Sequence, residues 1–399
     1  MGTKFVTGLA RDEISYEAGK KAAETALKKM GSGKVNLSIV FSSYKYDHSE
    51  VIRGVREVTK DAPLVGCSSA EEFTEEEVGR DGVACALISS ETHKFFTGSG
   101  VGIRNDETSC LIEASNGFPS GVEGYPYKSY ILCEDGLSGK GEETAITMLG
   151  VLGADMKLAG GSASDDLKME KTFTFTDGVV LENSISLALI VSKHPVIIAV
   201  NHGHMPISGP LTVTRSELNI VHEIDGKPAF DVWKKCARED AKRNLGIDVD
   251  KIQAGSADLA RLLTRYEAGL HVGGENYKIR WPGLTSVVDG PMTFATSVPE
   301  GTILRVMASP ENDQIASARK SAETIMANLK GRKLAGVIVF DCVVRKIILK
   351  DNFKEAVNAI KETVKVPLIG FETYGEYAME MGQMTGFHNA TTVIMAFTE

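Results

Sequence analysis

PLVGCSSAEE, at residues 63–72, is the stretch that decides the fold, because it returns near the carboxyl terminus as PLIGFETYGE at residues 367–376. A short apolar run and an amphipathic helix precede each copy. These lie at residues 37–41 and 50–60 before the first copy, and at 336–340 and 353–364 before the second. Apolar runs this short are typical of strands buried on both faces of a sheet. The repeat therefore predicts a strand, a helix and a second strand that ends in a small-residue turn.

A middle copy is weaker but has the same order. Its strand is predicted at residues 130–133, its helix at 142–152 and its turn at LAGGSASDD, residues 158–166. Each of the three copies continues into another apolar strand, at residues 82–89, 185–192 and 391–397. We therefore predict an α/β fold of internally repeated strand-helix-strand units that form mixed sheets.

Further elements lie outside the copies. Helices are predicted at residues 15–30 (with Ser15 as the N-cap), 229–236, 257–264 and 314–330, and an extended segment at 269–280. The turn signal DGKP, at residues 225–228, favours a division into two parts, 1–224 and 225–399.

Composition and charge exclude some classes of function. The chain has 399 residues, a net charge of −9 and a pI of about 5.5, which argues against general nucleic-acid binding. The most apolar stretch, residues 184–200, is interrupted by Lys193, His194 and Pro195, so we predict two strands there and no membrane helix. Without an apolar signal core after Lys4, a cytoplasmic location and six reduced cysteines are expected.

The repeat turns are the first candidate site, because open α/β sheets usually bind ligands at the carboxyl ends of their strands. Cys67, Ser68 and Ser69 occupy the first turn, Asp165 and Asp166 the second, and Tyr374 and Glu376 the third. The alternative is that small residues are there to permit tight packing. The acidic residues 71–77 are interpreted as a solvated run.

Other candidates are weaker. His202 and His204 form an HxH pair after a strand, which suits a metal or haem but has many structural explanations. Cys67 and Cys342 are candidate nucleophiles without a nearby base, so no enzyme is expected. GLSGK, at residues 136–140, lacks the residues of a Walker motif, but it precedes a helix whose free amides can hold an anion.

Several further motifs carry a family resemblance. In chain order they are VGCSSAEE (65–72), DGLSG (135–139), GGSASDD (160–166), HG (202–203), GPLTVT (209–214), DGKPA (225–229), FDC (340–342) with Arg345, GFETYGE (370–376) and FHN (387–389). With them the chain resembles the FIST sensory family over roughly residues 35–399. Two departures are Glu71, where Gly is usual, and His204, where an aromatic residue is common.

The resemblance implies a small-ligand-binding sensory protein of signal transduction, with a FIST N-like part and a FIST C-like part. The expected ligand is an amino acid or similar metabolite bound between the parts. Arg345 or a helix amino terminus would hold its carboxylate, and Asp165, Asp341 or Glu376 its ammonium group. The whole expected binding set is Cys67, Ser68, Ser69, Asp165, His202, Asp341, Arg345, Tyr374, Glu376 and His388.

The resemblance also leaves alternatives open. One is a haem-based nitric-oxide sensor with His202, His204 or His388 as the axial ligand. A weaker one is a Cys-dependent enzyme. The output partner is expected to be a separate signalling protein, such as a histidine kinase or a chemoreceptor.

Overall fold

The computed structural model describes residues 2–399 except 275, 284–287, 382 and 384–385. The repeated unit occurs three times. Unit 1 consists of β1 (Lys4–Ala10), α1 (Ser15–Met30), β2 (Leu37–Ser43), α2 (His48–Thr59), β3 (Leu64–Ser69), β4 (Glu72–Thr74), β5 (Val78–Gly79) and β6 (Val83–Ser89). Unit 2 consists of β7 (His93–Val101), α3 (Glu107–Ser115), β8 (Tyr127–Glu134), α4 (Gly141–Leu152), β9 (Lys157–Ser162), β10 (Thr174–Thr176), β11 (Val179–Leu181) and β12 (Ser184–Ser192).

Unit 3 begins with β13 (Ile197–Asn201) and is then interrupted by an inserted region, residues 202–308. The inserted region contains β14 (Met205–Pro206), β15 (Leu211–Glu217), β16 (Ile220–Ile224), β17 (Lys227–Pro228), α5 (Ala229–Leu245), α6 (Ala257–Arg265), β18 (Tyr266–Gly273), β19 (Asn276–Arg280), β20 (Met292–Thr293) and β21 (Ile303–Ala308). Unit 3 resumes with α7 (Glu311–Ala327), β22 (Leu334–Cys342), α8 (Val343–Leu349), α9 (Phe353–Val364), β23 (Leu368–Thr373), β24 (Glu376–Met379), β25 (Phe387–His388) and β26 (Thr392–Thr398).

Each unit builds a six-stranded sheet of the same order. The sheets run β1-β6-β2-β3-β10-β11, β7-β12-β8-β9-β24-β25 and β13-β26-β22-β23-β4-β5. In each sheet the two central strands of the repeat are parallel and their neighbours are antiparallel. The last hairpin always comes from another unit: unit 1 supplies it to unit 3, unit 3 to unit 2, and unit 2 to unit 1. The exchange covers an exposed strand edge in every sheet and ties the three units into one ring.

The glycine that recurs in the three turns is explained by the neighbouring strand of the same unit at Gly66 and Gly160, and by the exchanged hairpin at Gly370. Gly66, Gly160 and Gly370 lie opposite Phe175, Tyr377 and Phe73 of the incoming hairpins. A Cβ on Gly66 would lie 1.9 Å from the carbonyl oxygen of the neighbouring strand, and one on Gly160 would lie 2.1 Å from its equivalent. The repeated glycine therefore marks where a backbone must be approached closely.

A shared apolar core joins the three sheets. It brings together Phe41 and Cys67 of unit 1, Cys133 of unit 2, and Phe340 and Phe371 of unit 3. The rings of Phe41 and Phe371 are 4.3 Å apart between centroids. The inserted region has a second core, built on an eight-stranded sheet with α5 and α6.

The structure confirms the predicted mixed α/β class with repeated units. The stretch 184–200 forms two strands as predicted, and no helix among the described residues is long and apolar enough to cross a membrane. The predicted division at residue 225 falls inside the inserted region, between β16 and β17.

Three details of the sequence interpretation are wrong. Ser15 is the first residue of α1 and not its N-cap; its hydroxyl accepts a hydrogen bond from the Asp47 amide, 3.1 Å away. The helix α8 was not predicted, because seven residues are too few to show a helical period. Glu71 and Glu72 are not solvated, being 4% and 0% exposed.

Candidate functional site

Cys67, the candidate nucleophile of the first turn, lies in the core shared by the three units. Its side chain is fully buried, beside the thiol of Cys133. Burial, followed by the neighbouring thiol, raises the pKa of Cys67 well above its usual range. A protonated thiol in an apolar core is a packing residue, so Cys67 has no access to a ligand.

The neighbouring serines hold the turn itself. The Ser68 hydroxyl donates to the carbonyl of Ser164 at 3.1 Å and accepts from the amide of Phe173 at 3.1 Å. The Ser69 hydroxyl donates to the carboxyl group of Glu72. Both serines are buried; Ser68 ties unit 1 to the second turn, and Ser69 bonds within unit 1.

Glu376 and Glu72 occupy equivalent positions, each at the first residue of an exchanged hairpin. The Glu376 carboxyl group accepts from the Thr373 hydroxyl, and from the amide and hydroxyl of Thr391 at 3.1 and 2.8 Å. Glu72 accepts from Ser69 and from the amide of Gly82 at 3.0 Å. Burial raises the pKa of each carboxyl group to about 8. Each residue thus holds, by hydrogen bonds, the loop that leads into the last strand of its own unit.

Asp165 organises the loop of the second turn. Its carboxylate accepts from the amides of Met169, Glu170 and Lys171 at 3.0, 2.7 and 3.0 Å. The Tyr374 hydroxyl donates to the same carboxylate. Both oxygens of Asp165 are thus used within the protein.

Arg345 is fully buried and holds unit 3 together. Its Nε donates to Asp341 Oδ1 at 2.7 Å, and its terminal nitrogens donate to the side chain and carbonyl of Gln314 and to Ser317 Oγ. The other Asp341 oxygen accepts from the Thr392 hydroxyl at 2.6 Å. Arg345 and Asp341 therefore satisfy one another, and neither presents a free charge to a small molecule.

The three candidate haem ligands also have protein neighbours. His202 Nδ1 accepts from the amide of His204 at 3.2 Å, and His204 Nε2 lies 3.3 Å from a carboxyl oxygen of Glu267. His388 Nε2 lies 3.3 Å from the carbonyl oxygen of Ala378, to which it donates. Burial lowers the pKa of each imidazole to about 3. None of them lines the cavity described next, so the residues present do not fit a haem pocket.

A cavity of about 430 Å³ lies where the inserted region meets units 2 and 3, and we call it the seam cavity. Its walls come from the loop before α4, the loop after Asp165, the start of α8, the FHN motif and the inserted region. Its lining is Glu134, Gly136, Leu137, Ser138, Gly139, Gly141, Ser162, Leu167, Met169, Asn219, Trp281, Gly283, Thr293, Phe294, Ala295, Cys342, Val343, Val344, Ile347, Tyr374, Phe387 and Asn389.

The polar part of the seam cavity centres on unit 2. The buried Glu134 carboxyl group accepts from the hydroxyls of Ser138 and Tyr377. Burial raises the pKa of Glu134 to about 7, although these hydrogen bonds oppose the rise. Gly139 and Gly141 flank the amino terminus of α4, where backbone amides favour an anion.

Two buried polar atoms of the lining have no hydrogen-bond partner among the residues that the structure describes. They are the indole Nε1 of Trp281 and the amide Oδ1 of Asn389. Buried polar groups are nearly always paired in native proteins. These two atoms therefore give the seam cavity one donor and one acceptor that the described residues leave open.

Of the residues expected to bind a ligand, Tyr374 alone belongs to the described lining. Cys342, which was considered as a nucleophile, also lines the cavity, but burial raises the pKa of its thiol well above the usual range. Trp281, Asn219 and Phe294 were missed, because they lie in the inserted region, where no motif points to chemistry. The GLSGK and FHN motifs did contain lining residues.

A second, larger cleft of about 750 Å³ lies between units 1 and 2. It is bordered by Lys34, Lys60 and Lys94, and Lys94 stacks over the ring of Tyr125 at 4.6 Å. Exposed lysines of this kind are common on surfaces. Nδ1 of its buried His93 bonds to the hydroxyls of Thr3 and Ser90, while Nε2 has no partner among the described residues. The cleft thus offers one unpartnered buried atom, whereas the seam cavity offers two.

Comparisons with known proteins match most of the chain to one family. The FIST N domain model matches residues 36–227 and the FIST C domain model matches residues 229–379. An uncharacterized protein of Methanocaldococcus jannaschii is 26% identical over 265 residues, which is 61% of this chain and 49% of that protein. The chain thus spans about half the length of this curated relative. A solved structure of cyanuric acid hydrolase aligns over 100% of both chains, with 9% identity and a TM-score of 0.33.

Proposed function

The chain belongs to the FIST family, and from that premise we propose that it is a sensory protein that binds a small metabolite in the seam cavity. FIST domains are associated with sensory signal transduction and small-ligand binding. The observation that carries the proposal is the pair of unpartnered polar atoms, Trp281 Nε1 and Asn389 Oδ1, inside one largely apolar cavity.

Size and position support a ligand of about the dimensions of an amino acid. Binding sites for small molecules usually measure about 300–1,000 Å³ and lie between domains, and the seam cavity measures about 430 Å³. A free amino acid would place its carboxylate at the amino terminus of α4, beside Gly139 and Gly141, because Arg345 is engaged elsewhere. Its ammonium group would lie toward Glu134.

The seam position also suggests how binding is reported. A ligand there contacts two bodies with separate cores, so it can change how the inserted region is held against units 2 and 3. We propose that the protein acts in the cytoplasm and passes this change to a separate signalling protein, such as a histidine kinase or a chemoreceptor. We also propose binding without catalysis, since the Cys342 thiol stays protonated and no base adjoins it among the described lining residues.

A thermal-shift screen of the full chain against amino acids and related metabolites tests the proposal. At least one compound should raise the melting temperature by several degrees at millimolar concentration, because binding to the folded state stabilises it. The variant Ala295→Trp should abolish that shift. Ala295 is an exposed residue of the lining, so an indole there obstructs the cavity without disturbing the core.

Ala257→Trp is the matched control, since Ala257 is an exposed alanine at the start of α6 and lies outside the lining. It should keep the full shift. Stabilisation of equal size in Ala295→Trp would place the ligand elsewhere, and no stabilisation by any compound would remove the proposal.

A further inference from the structure

The charge of the seam cavity limits what it can hold. Its described lining contains no Lys, Arg, His or Asp, and its one carboxyl group, Glu134, already accepts hydrogen bonds from two hydroxyls. Burial of an unpaired charge is strongly unfavourable. A ligand with a full charge would therefore find only the partial positive charge at the amino terminus of α4 and the Glu134 carboxyl group, which is already hydrogen-bonded.

The unpartnered atoms of the lining are complementary in kind. The indole Nε1 of Trp281 is a donor only, whereas Oδ1 of Asn389 is an acceptor. Asn389 is 2% exposed, and both atoms are shielded from solvent. Leaving such a buried group unpaired costs about 1–3 kcal/mol, so a ligand that supplies an acceptor and a donor relieves both defects at once.

The chain has two tryptophans, and they differ in whether the indole nitrogen has a hydrogen-bond partner. Trp233, in the core of the inserted region, donates from Nε1 to the carbonyl of Tyr266 at 3.0 Å. Trp281 has no such partner among the described residues and faces the cavity instead. The indole donor of Trp281 is thus left for a molecule other than the protein.

We propose that the ligand of the seam cavity is an uncharged secondary amide or lactam that carries an apolar substituent. Its carbonyl oxygen accepts from Trp281 Nε1 and its N–H donates to Asn389 Oδ1. The substituent packs against the apolar walls given by Leu137, Phe294 and Val343. This inference rests on the proposed function and narrows its ligand from metabolites in general to one chemical class.

Three small probes distinguish an uncharged amide from an ester and from a charged amino acid. Isothermal titration calorimetry on the full chain measures the affinity for each. N-isopentylacetamide has both the acceptor and the donor, isopentyl acetate differs from it by an oxygen in place of the N–H, and L-leucine has a similar branched group with two charges. The amide should bind at least about 10-fold more tightly than the ester and the amino acid, because each loses or mismatches a buried hydrogen bond.

Variants then assign the two contacts. Trp281→Phe keeps an aromatic ring but removes the donor, and Asn389→Leu keeps the side-chain shape but removes the acceptor. Each should weaken binding of the amide by roughly 5- to 30-fold. Asn389→Leu should also remove the preference for the amide over the ester. Trp233→Phe is the matched control and should leave affinity unchanged, and it leaves Trp281 as the one fluorescent indole whose emission reports binding.

Two results overturn the inference. If L-leucine binds more tightly than the amide and Trp281→Phe has no effect on it, the ligand class is wrong while the proposed function stands. If the amide fails to bind at millimolar concentration, the class is also wrong, and the screen with Ala295→Trp decides separately whether the cavity binds any metabolite.

Discussion

The repeat turns and the seam cavity are both rich in polar groups near the carboxyl ends of strands, but they differ in what those groups do. In the turns, Glu72, Asp165 and Glu376 accept hydrogen bonds from the protein at both oxygens. In the cavity, Trp281 and Asn389 each have a buried atom without a partner among the described residues. Location at a strand end is therefore insufficient to identify a binding residue, because these three turn carboxyl groups are satisfied by the protein. The turns do contain an unpartnered oxygen, Glu372 Oε1, but it lies outside the described lining of the seam cavity.

The largest effect is expected where a fully satisfied charge is removed. Arg345→Met should lower the free energy of unfolding by about 3–5 kcal/mol, because it leaves Asp341 buried without its partner. Denaturant unfolding monitored by circular dichroism measures the change. The loss should be the same with and without a stabilising ligand, since Arg345 lies outside the described lining of the seam cavity.

Arg319→Met provides the control, because Arg319 is an exposed arginine on α7, the helix that also supplies Gln314 to Arg345. It should change stability by less than about 0.5 kcal/mol. A folded and equally stable Arg345→Met protein that no longer binds ligand would break the comparison, since Arg345 would then be a binding residue as the sequence suggested.

The repeat itself could be predicted because its signals are local. Within each copy, the apolar strand, the helix and the glycine at 66 or 370 stand within about 40 residues of one another. The exchange of hairpins could not be predicted, since β4 is three residues long and pairs with β23, nearly 300 residues away in the chain. Nothing in so short a strand specifies a partner; the partner is selected by the packing of Phe73 over Gly370.

The binding site was predicted only in part for a related reason. Tyr374 was found because open sheets bind ligands at strand ends, and the GLSGK loop because it precedes a helix whose free amides can hold an anion. Trp281 was not found, because the sequence does not show whether a tryptophan indole has a hydrogen-bond partner. Only the packing of the inserted region distinguishes Trp281 from Trp233. The role given to Arg345 depended likewise on partners 28–31 residues away in the chain.

A change of pH is expected to have a moderate effect on the free energy of unfolding, through the buried carboxyl groups of the repeat turns. Glu72 and Glu376 have pKa values raised to about 8 by burial, against about 4.5 when unfolded. Each therefore contributes stability that is complete below pH 4.5 and is lost as the pH rises toward 8. The slope from each group is at most about 1.4 kcal/mol per pH unit. Glu72→Gln and Glu376→Gln, which mimic the protonated form, should each flatten the slope in denaturant unfolding between pH 5 and 8.

Unit 2 supplies the control for this prediction. The equivalent hairpin position is Thr174, whose hydroxyl bonds to that of Ser184 at 2.8 Å and does not titrate in this range. Thr174→Val should lower stability by about 1 kcal/mol at every pH and leave the slope unchanged. A slope that stays the same in both Gln variants would mean that these carboxyl groups are ionised in the folded protein, held by the hydrogen bonds that they accept, and that burial does not raise their pKa values.

The smallest effect is expected where the two regions meet, at Tyr374. Its hydroxyl donates to Asp165 and accepts from the amide of Leu167 at 2.7 Å, while its ring lines the seam cavity. Tyr374→Phe should therefore cost about 1 kcal/mol of stability and loosen residues 166–171, which carry Leu167 and Met169 of the cavity wall. Hydrogen exchange should become faster at those amides, and a bound ligand should dissociate faster.

Tyr127→Phe, at an exposed tyrosine 40% accessible to solvent, should change neither rate. Unchanged exchange at residues 166–171 in Tyr374→Phe would show that Asp165 holds the loop unaided, and that the turn and the cavity wall are independent.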